Sequence, residues 1–358
     1  MVDRLPPAGA PRAEPPAAAL AACHALPKVL LHEHLDGGLA PATLAAWLQR
    51  RGIAGPAEGP EALAAWFAAH AQAGNLVDYL RGFDWTLAAM AEPPAMAQVA
   101  FEAAEAARAQ GCVLAEFRMA PLLLATPTVP AEAVVEALLQ GLQRSALPSG
   151  LILCAMRQAS PADSLRVARL ALRYRDAGVV GLDLAGPEAG HPPGHHAAAL
   201  ALARDAGLPL SLHAGEADGP ERVEQAVALG ARRIGHGVRL GDWLADAAGR
   251  DRLAALREAG IHLEQCPSSN VHTGAAASLR AHPIAALWRF GLSLSYHTDN
   301  PLMSATTLSR EAALLLCHQP LTPADLIDMA RQAARHSFLP APVRQAALAQ
   351  IDAAGVPA

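Results

Sequence analysis

The chain has 358 residues, of which 52% are hydrophobic and 17% charged, a composition typical of a globular protein with a large buried core. The formal charge is -5 and the basic residues form no cluster, which argues against a nucleic acid partner. Five scattered cysteines without a C-x-x-C pair predict neither disulfides nor a cysteine zinc site, and they fit a reducing cytoplasm. The sequence indicates no membrane partner and neither indicates nor excludes a homo-oligomer.

The first 22 residues are rich in proline and alanine and are predicted to form a disordered N-terminal extension. Prolines interrupt their apolar residues, which argues against a secretory leader. No repeat, linker or low-complexity tract divides the rest of the chain. Residues 23–358 are therefore predicted to form one domain.

Short apolar runs rich in Val, Ile and Leu alternate with stretches of helical spacing, which is typical of buried parallel strands followed by helices. Eight runs predict an α/β fold of the (β/α)₈ TIM barrel class. The segment between the first two runs is longer than one crossover helix and predicts a helical lid insertion after the first strand. The runs are 28–32, 113–119, 150–157, 179–185, 208–213, 233–236, 261–265 and 292–298.

Polar residues stand where these predicted strands end, which is where a barrel of this class places its active site. His32 and His34 are two residues apart, so both imidazoles can face one ion from an extended segment. Zinc in catalytic sites takes such nitrogen and oxygen ligands and keeps one position for water. We therefore expect one zinc ion per chain. The polar residues at strand ends are His32, His34, His213, Glu216, His236 and Asp299.

Six motifs in chain order resemble the adenosine deaminase family of the amidohydrolase barrels. They are KVLLHEHLDGGL at 28–39, GLDLAGPE at 181–188, SLHAGE at 211–216, RIGHG at 233–237, CPSSN at 266–270 and HTDNP at 297–301. The resemblance covers residues 26–340. It implies zinc-dependent hydrolysis of adenosine and 2'-deoxyadenosine to the inosine product plus ammonia, in purine salvage.

The resemblance also implies a role for each matching residue. His32, His34, His213 and Asp299 would hold zinc, and Glu216, His236 and Asp299 would be catalytic. The substrate-binding residues would be His34, Asp36, Gly186, Asn300, Leu76, Tyr79 and Phe83.

Elementary chemistry is consistent with these roles. Zinc lowers the pKa of a bound water to about 7 and so supplies a nucleophile for C6 of the purine. Glu216 can protonate the adjacent ring nitrogen, and His236 can take or steer the proton of the water. Asp36 can accept a hydrogen bond from a ribose hydroxyl, and its charge would oppose a phosphate there.

Several of these residues also have purely structural interpretations. Glu216 could be an acidic residue at the start of a helix. Gly186 could serve only a turn. Asp36 could cap a turn formed with the two following glycines. The spacing of Leu76, Tyr79, Leu80 and Phe83 is also that of a helix face packed on the core.

Two positions depart from the family pattern. Asn300 stands where many members have a second aspartate, and its amide can donate to purine N7 without prior protonation. His297 stands where a smaller polar residue is common, and the sequence offers no interpretation of it. Residues 266–270 are expected to form a structural turn in which Cys266 is not a nucleophile.

Some alternative functions require residues that this sequence lacks. A two-metal barrel hydrolase would need a bridging lysine at the fourth strand end, whereas Lys28 is the only lysine. The unrelated cytidine-type deaminases carry H-x-E followed by P-C-x-x-C, and that signature is absent, because Cys266 follows Gln265 and precedes Pro267. Deaminases of aminodeoxyfutalosine, adenine or N6-substituted adenine nucleotides share the predicted metal site and stay open. A non-catalytic binding barrel would have lost a ligand or Glu216, and none is lost.

Overall fold

A computed structural model describes residues 14–70 and 75–354 and contains one sheet of eight parallel strands in sequential order. Strands 1 and 8 meet where the His34 N–H donates to the Asp299 carbonyl at 2.8 Å and the Asp299 N–H to the His32 carbonyl at 3.0 Å. The predicted TIM barrel is confirmed. The strands are β1 Lys28–Leu30, β2 Cys112–Met119, β3 Ser149–Met156, β4 Val179–Ala185, β5 Leu210–Ala214, β6 Ala231–His236, β7 His262–Gln265 and β8 Ser293–Tyr296.

Helices surround the sheet and follow the strands along the chain. Within the described ranges, no helix is long and apolar enough to cross a bilayer. The helices are α1 Ala17–Ala25, α2 Pro41–Arg50, α3 Pro60–His70, α4 Leu76–Leu80, α5 Phe83–Ala89, α6 Pro93–Ala109, α7 Ala131–Gln143, α8 Pro161–Tyr174, α9 Ala197–Asp205, α10 Glu221–Ala228, α11 Ala247–Glu258, α12 Pro267–His272, α13 Ile284–Phe290, α14 Pro301–Ser304, α15 Leu308–His318, α16 Pro323–His336 and α17 Ala341–Ala354.

The first and last strands are shorter than the apolar runs that predicted them. β1 stops at Leu30 and β8 at Tyr296, and the chain beyond them continues as isolated bridges between Glu33 and Asp299 and between His34 and Arg118. We call the contact between residues 31–34 and 297–299 the seam. The predicted metal ligands on these two segments therefore lie just past the regular ladder.

The N-terminal region differs from the predicted disordered extension. Residues 17–22 belong to α1, which packs against α15 and buries Cys23. Pro16 is the N-cap residue of this helix, a position whose N–H has no hydrogen-bond partner inside the helix. The prolines before residue 17 are therefore compatible with a helix that starts there. Residues 1–13 of the predicted extension lie outside the described residues.

Five helices, α2 to α6, lie between β1 and β2, so the insertion after the first strand is helical where the structure describes it. The sequence spacing from 76 to 83 is that of one continuous helix, but the chain divides it into α4 and α5 around Gly82. Leu76, Tyr79 and Phe83 nevertheless line one cavity at the strand ends. That these helices close over a substrate as a lid remains a prediction.

The packing of α7 against α6 at Gly141 leads to a stability prediction. A Cβ added there would lie 2.2 Å from the Ala97 carbonyl oxygen, so the two helices would have to separate. Gly141→Ala should lower the free energy of unfolding by about 1–3 kcal/mol, as overpacking does, in urea denaturation. Gly194→Ala is the control, because no described atom lies within 4 Å of a Cβ built there. Equal stability of the two variants would contradict the packing.

Candidate active site

Side chains from several strand ends converge on one point at the mouth of the barrel. One ligand atom each from His32, His213, His236 and Asp299 lie within 4.8 Å of one another. His34 Nε2 reaches the same point, 3.2 Å from His213 Nε2 and 3.5 Å from Asp299 Oδ1. The structure thus brings together the four residues predicted to bind zinc, with His236 beside them.

The donor atoms of this cluster fit a zinc ion. Among the described residues, His32 Nε2 is buried without a hydrogen-bond partner, and it lies 3.4 Å from Asp299 Oδ1. Burial lowers the pKa of His34, His213 and His236, which favours the neutral imidazole that binds metals. Imidazole nitrogens with one carboxylate are typical of catalytic zinc sites.

Two buried carboxylates orient the histidines of the cluster. Glu264 Oε2 lies 2.9 Å from His32 Nδ1, and Asp183 Oδ2 lies 2.9 Å from His213 Nδ1. A carboxylate that holds Nδ1–H leaves Nε2 free for a metal, so these contacts select the tautomer of both rings. Neither residue was predicted from the sequence as part of the site, because each lies inside a strand and not at its carboxyl end.

Hydrogen-bonding and cationic neighbours keep these two carboxylates ionised. Arg118 donates to Asp183 Oδ2 at 2.8 Å and to Glu264 Oε2 at 2.6 Å, with all three side chains fully buried. Burial alone would raise the pKa values of both carboxyl groups. His213 and Arg118 instead lower the pKa of Asp183 well below its usual range. Arg118 and Arg233 do the same for the pKa of Glu264.

The backbone around the cluster is constrained at three positions. A Cβ at Gly235, between His213 and His236 across the β5–β6 pair, would lie 2.8 Å from His32 Cε1, so the His32 ring requires glycine there. His236 and Asp299 have φ values of 65° and 60°, in the left-handed region that non-glycine residues seldom adopt. Such conformations cost about 1–3 kcal/mol and are typical of functional sites.

Glu216 lies in the turn after β5, five residues before α10 begins at Glu221, so it does not start that helix. Its carboxyl group accepts a hydrogen bond from Thr273 Oγ1 at 3.0 Å, and Oε2 lies 3.6 Å from His236 Nε2. Burial and the nearby Asp299 raise the pKa of Glu216 to about 8. The group is therefore protonated at neutral pH and can donate a proton.

A second glutamate holds the loop that carries Glu216. Glu188 Oε2 accepts from the backbone N–H groups of residues 216, 217 and 218 at 2.9, 2.8 and 3.1 Å, and Oε1 from Gly215 at 2.7 Å. Four hydrogen bonds to one carboxylate leave this loop little freedom. Glu188 belongs to the GLDLAGPE motif, but its role was not predicted from the sequence.

Residues 266–270 form the start of helix α12 rather than the predicted turn. Ser269 Oγ donates to Asp299 Oδ2 at 2.6 Å, and Asn270 Nδ2 lies 3.0 Å from His236 Nδ1. Burial raises the pKa of the Cys266 thiol well above its usual value, which agrees with the expectation that it is not a nucleophile. The same strand-end rule that selected the histidines also applies to Ser269 and Asn270, which follow β7.

The cluster forms one end of a mainly apolar cavity at the strand ends. All the residues predicted to bind substrate line it: His34, Asp36, Gly186, Asn300, Leu76, Tyr79 and Phe83. Glu216, His236 and Asp299 line the same cavity, so the predicted catalytic groups face the predicted substrate-binding groups. A concave apolar site with a few convergent polar groups is typical of small-molecule binding.

Two polar atoms in this cavity have unsatisfied hydrogen-bonding capacity. Asp36 Oδ1 and Asn300 Oδ1 are buried and have no hydrogen-bond partner in the described part of the chain. Burial and Asp299 raise the pKa of Asp36 to about 7. Gly186 has a φ of 95°, a backbone conformation that favours glycine, and a Cβ there would lie 2.5 Å from Gln158 Oε1, so that side chain would have to move.

The barrel, the histidine and aspartate cluster and the buried acid beside it define a metal-dependent hydrolase of the deaminase class. The family model for adenosine deaminase matches residues 27–354. The adenosine deaminase of Mycobacterium tuberculosis is 41% identical over 344 residues, which cover 91% of this chain and 93% of the mycobacterial one. The chain belongs to the adenosine deaminase family.

Solved structures of related deaminases have the same fold. An adenine deaminase from Arthrobacter aurescens superimposes with a TM-score of 0.80 at 26% identity, covering 92% of this chain and 98% of the other. The N6-methyl-AMP deaminase from Arabidopsis thaliana superimposes with a TM-score of 0.79 at 25% identity, covering 94% and 99%.

The orientation of His213 by Asp183 leads to a prediction about metal retention. Asp183→Asn keeps the size of the side chain but removes the charge that holds His213 Nδ1–H and Arg118. Zinc affinity should fall about tenfold to hundredfold, measured by competition with a chelator. Asp325→Asn, in the capping box of α16, is the control. If both variants retained zinc as the unaltered protein does, Asp183 would not orient a ligand.

Proposed function

We propose that the protein is a zinc-dependent hydrolase that removes the 6-amino group of adenosine and of 2'-deoxyadenosine, releasing ammonia and the inosine product. The observation that carries this proposal is the buried acid Glu216 beside the histidine and aspartate cluster in one cavity. Membership of the adenosine deaminase family supports the same reaction. The unpaired cysteines support the reducing cytoplasm as its place of action.

His32, His34, His213 and Asp299 would hold a single zinc ion. When bound, zinc supplies an activated water that can attack an electron-poor carbon. The imidazoles of His32 and His213 and their ionised partners Glu264 and Asp183 fit this role, because each carboxylate holds Nδ1 and leaves Nε2 free to face one point. Lys28 is bonded to the carbonyls of Leu26 and Gln110 and does not line the cavity, so it offers no bridge for a second metal.

Glu216 and His236 carry the protons of the reaction. As the water oxygen adds to C6, Glu216 protonates the neighbouring ring nitrogen, so no negative charge builds up on the purine. His236, held by Asn270, takes or steers the proton of the water, and Asp299 accepts a hydrogen bond from it. The C6–N bond to the amino group then breaks, and the nitrogen leaves as ammonia with the proton that the water released. The remaining proton of the C6 hydroxyl returns to the Glu216 carboxylate as the C6 carbonyl forms.

The rest of the cavity would bind the nucleoside. The Asn300 amide donates to purine N7, and the Gly186 backbone approaches a ring nitrogen. Asp36 binds a ribose hydroxyl, for which its unpaired Oδ1 is available. Leu76, Tyr79 and Phe83 cover the base, and the Tyr79 hydroxyl is engaged with Ser304 Oγ at 2.8 Å, which presents its ring to the cavity.

Two proteins of similar structure are an adenine deaminase and an N6-methyl-AMP deaminase. Adenine and N6-methyl-AMP are therefore the alternative candidate substrates. The buried Asp36 favours a free nucleoside over a phosphate-bearing one, because the ionised form of its carboxyl group, with a pKa of about 7, repels a phosphate placed beside it. Adenine lacks the ribose hydroxyl that Asp36 can bind. A small purine nucleoside is thus the partner that the cavity suits best.

The role of Glu216 is tested by Glu216→Gln, which keeps the hydrogen bonds but removes the proton donor. Turnover of adenosine should fall about a hundredfold or more, with a much smaller change in KM. Glu221→Gln is the control, because Glu221 starts α10 at the surface and pairs with Arg252. Near-normal turnover of Glu216→Gln would show that Glu216 transfers no proton.

The role of Asp36 is tested by comparing adenosine with AMP. Asp36→Asn should narrow the ratio of their kcat/KM values by about tenfold or more, because it removes a charge that opposes the phosphate. Zinc content should be unchanged in this variant. If the ratio stayed the same while thermal stability fell, Asp36 would be a turn residue rather than a substrate contact.

A further inference from the structure

The peptide groups of Leu31, at the seam, are bound by two side chains. The Leu31 N–H donates to His297 Nδ1 at 3.2 Å, and its carbonyl accepts from Arg118 at 2.7 Å. Beyond β1 and β8, the imidazole of His297 therefore takes the place that a backbone carbonyl would have in a regular ladder. Leu31 and His297 are both fully buried, so water cannot replace this contact.

The Leu31 contact determines the tautomer of His297. A backbone N–H can only donate, so Nδ1 accepts and the ring proton is on Nε2. Nε2–H then donates to Ser295 Oγ at 2.7 Å, whose hydroxyl donates to His262 Nε2 at 2.8 Å. His262 Nδ1–H in turn donates to Ser293 Oγ at 2.8 Å. One backbone donor thus sets the direction of a hydrogen-bond chain along β8 and β7.

The seam that His297 joins also carries proposed metal ligands on both sides. His32 directly follows Leu31, and Asp299 lies two residues after His297. Two backbone hydrogen bonds connect the same segments, from His34 to Asp299 and from Asp299 to His32. Thr298 Oγ1 also donates to Glu33 Oε2 across the seam at 2.6 Å. All three of these bonds lie at residues 32–34, so the contact with His297 is what anchors Leu31 and limits how far the two sides can separate there.

We propose that His297 is a positioning residue of the metal site, whose neutral imidazole joins β8 to the segment carrying His32 and His34 and so sets the separation of the ligands across the seam. This inference rests on the proposed zinc site. The proposed role accounts for the presence of a histidine at this buried position, because its Nδ1 accepts the Leu31 N–H. His297 itself contacts Leu31 and Ser295 and is not among the residues that line the cavity.

Three variants test this role. His297→Leu removes the acceptor for Leu31, whereas His297→Gln keeps a side-chain acceptor of similar length. His262→Leu is the matched control, because it removes a buried imidazole from the same hydrogen-bond chain but leaves the contact between His297 and Leu31. Two quantities are measured on the zinc-loaded proteins: the rate of zinc release to a chelator, and amide hydrogen exchange in the peptide containing Leu31.

His297→Leu should release zinc about tenfold to hundredfold faster than the unaltered protein and should lose protection at Leu31. His297→Gln should release zinc nearly as slowly as the unaltered protein and should keep most of the protection at Leu31. His262→Leu should match the unaltered protein in zinc release and in Leu31 protection, even if its Tm falls. Equal zinc release from the two leucine variants, or unchanged protection of Leu31 in His297→Leu, would overturn the inference. A purified unaltered protein without zinc would instead refute the metal site on which the inference rests.

Discussion

The carboxylate of Glu264 connects most of the barrel beneath the metal site, and the position of that site depends on it. It lies 2.9 Å from His32 Nδ1, 2.6 Å from Arg118, 2.8 Å from Ser211 Oγ and 2.6 Å from Arg233 Nε. These partners come from β2, β5, β6 and the segment after β1, while Glu264 itself is on β7. One buried carboxylate therefore sets the spacing of five chain segments. Removing one partner from such a buried network typically costs about 3–5 kcal/mol.

The same network produces opposite ionisation in neighbouring acids. Asp183 and Glu264 face guanidinium groups and remain charged, which orients imidazoles toward one point. Glu216 is equally buried but faces hydroxyl and amide donors and the anionic Asp299, so its pKa rises to about 8. Acids that hold a metal ligand and an acid that donates a proton can thus lie within one barrel mouth, because their surroundings differ.

The sequence predicted the eight strands and the residues at their ends, because hydrophobic runs and barrel topology are local signals. Glu216, His236 and Asp299, which the sequence places at strand ends, line one cavity in the structure. The sequence did not predict the partners of those residues. Asp183, Glu264 and His297 act through side chains from distant segments, and nothing local in the sequence shows which buried polar residues will meet. The helix at residues 17–22 was missed because proline content was interpreted as disorder, whereas the prolines precede the helix.

Ammonia release from adenosine by the purified protein, with the zinc content of the same sample, tests the central claim most directly. We expect inosine and ammonia in equal amounts from protein that holds one zinc per chain. Adenosine and 2'-deoxyadenosine should react faster than adenine, AMP, N6-methyl-AMP or aminodeoxyfutalosine. No ammonia from adenosine with zinc-loaded protein, or faster release from adenine or a nucleotide, would contradict the proposed function.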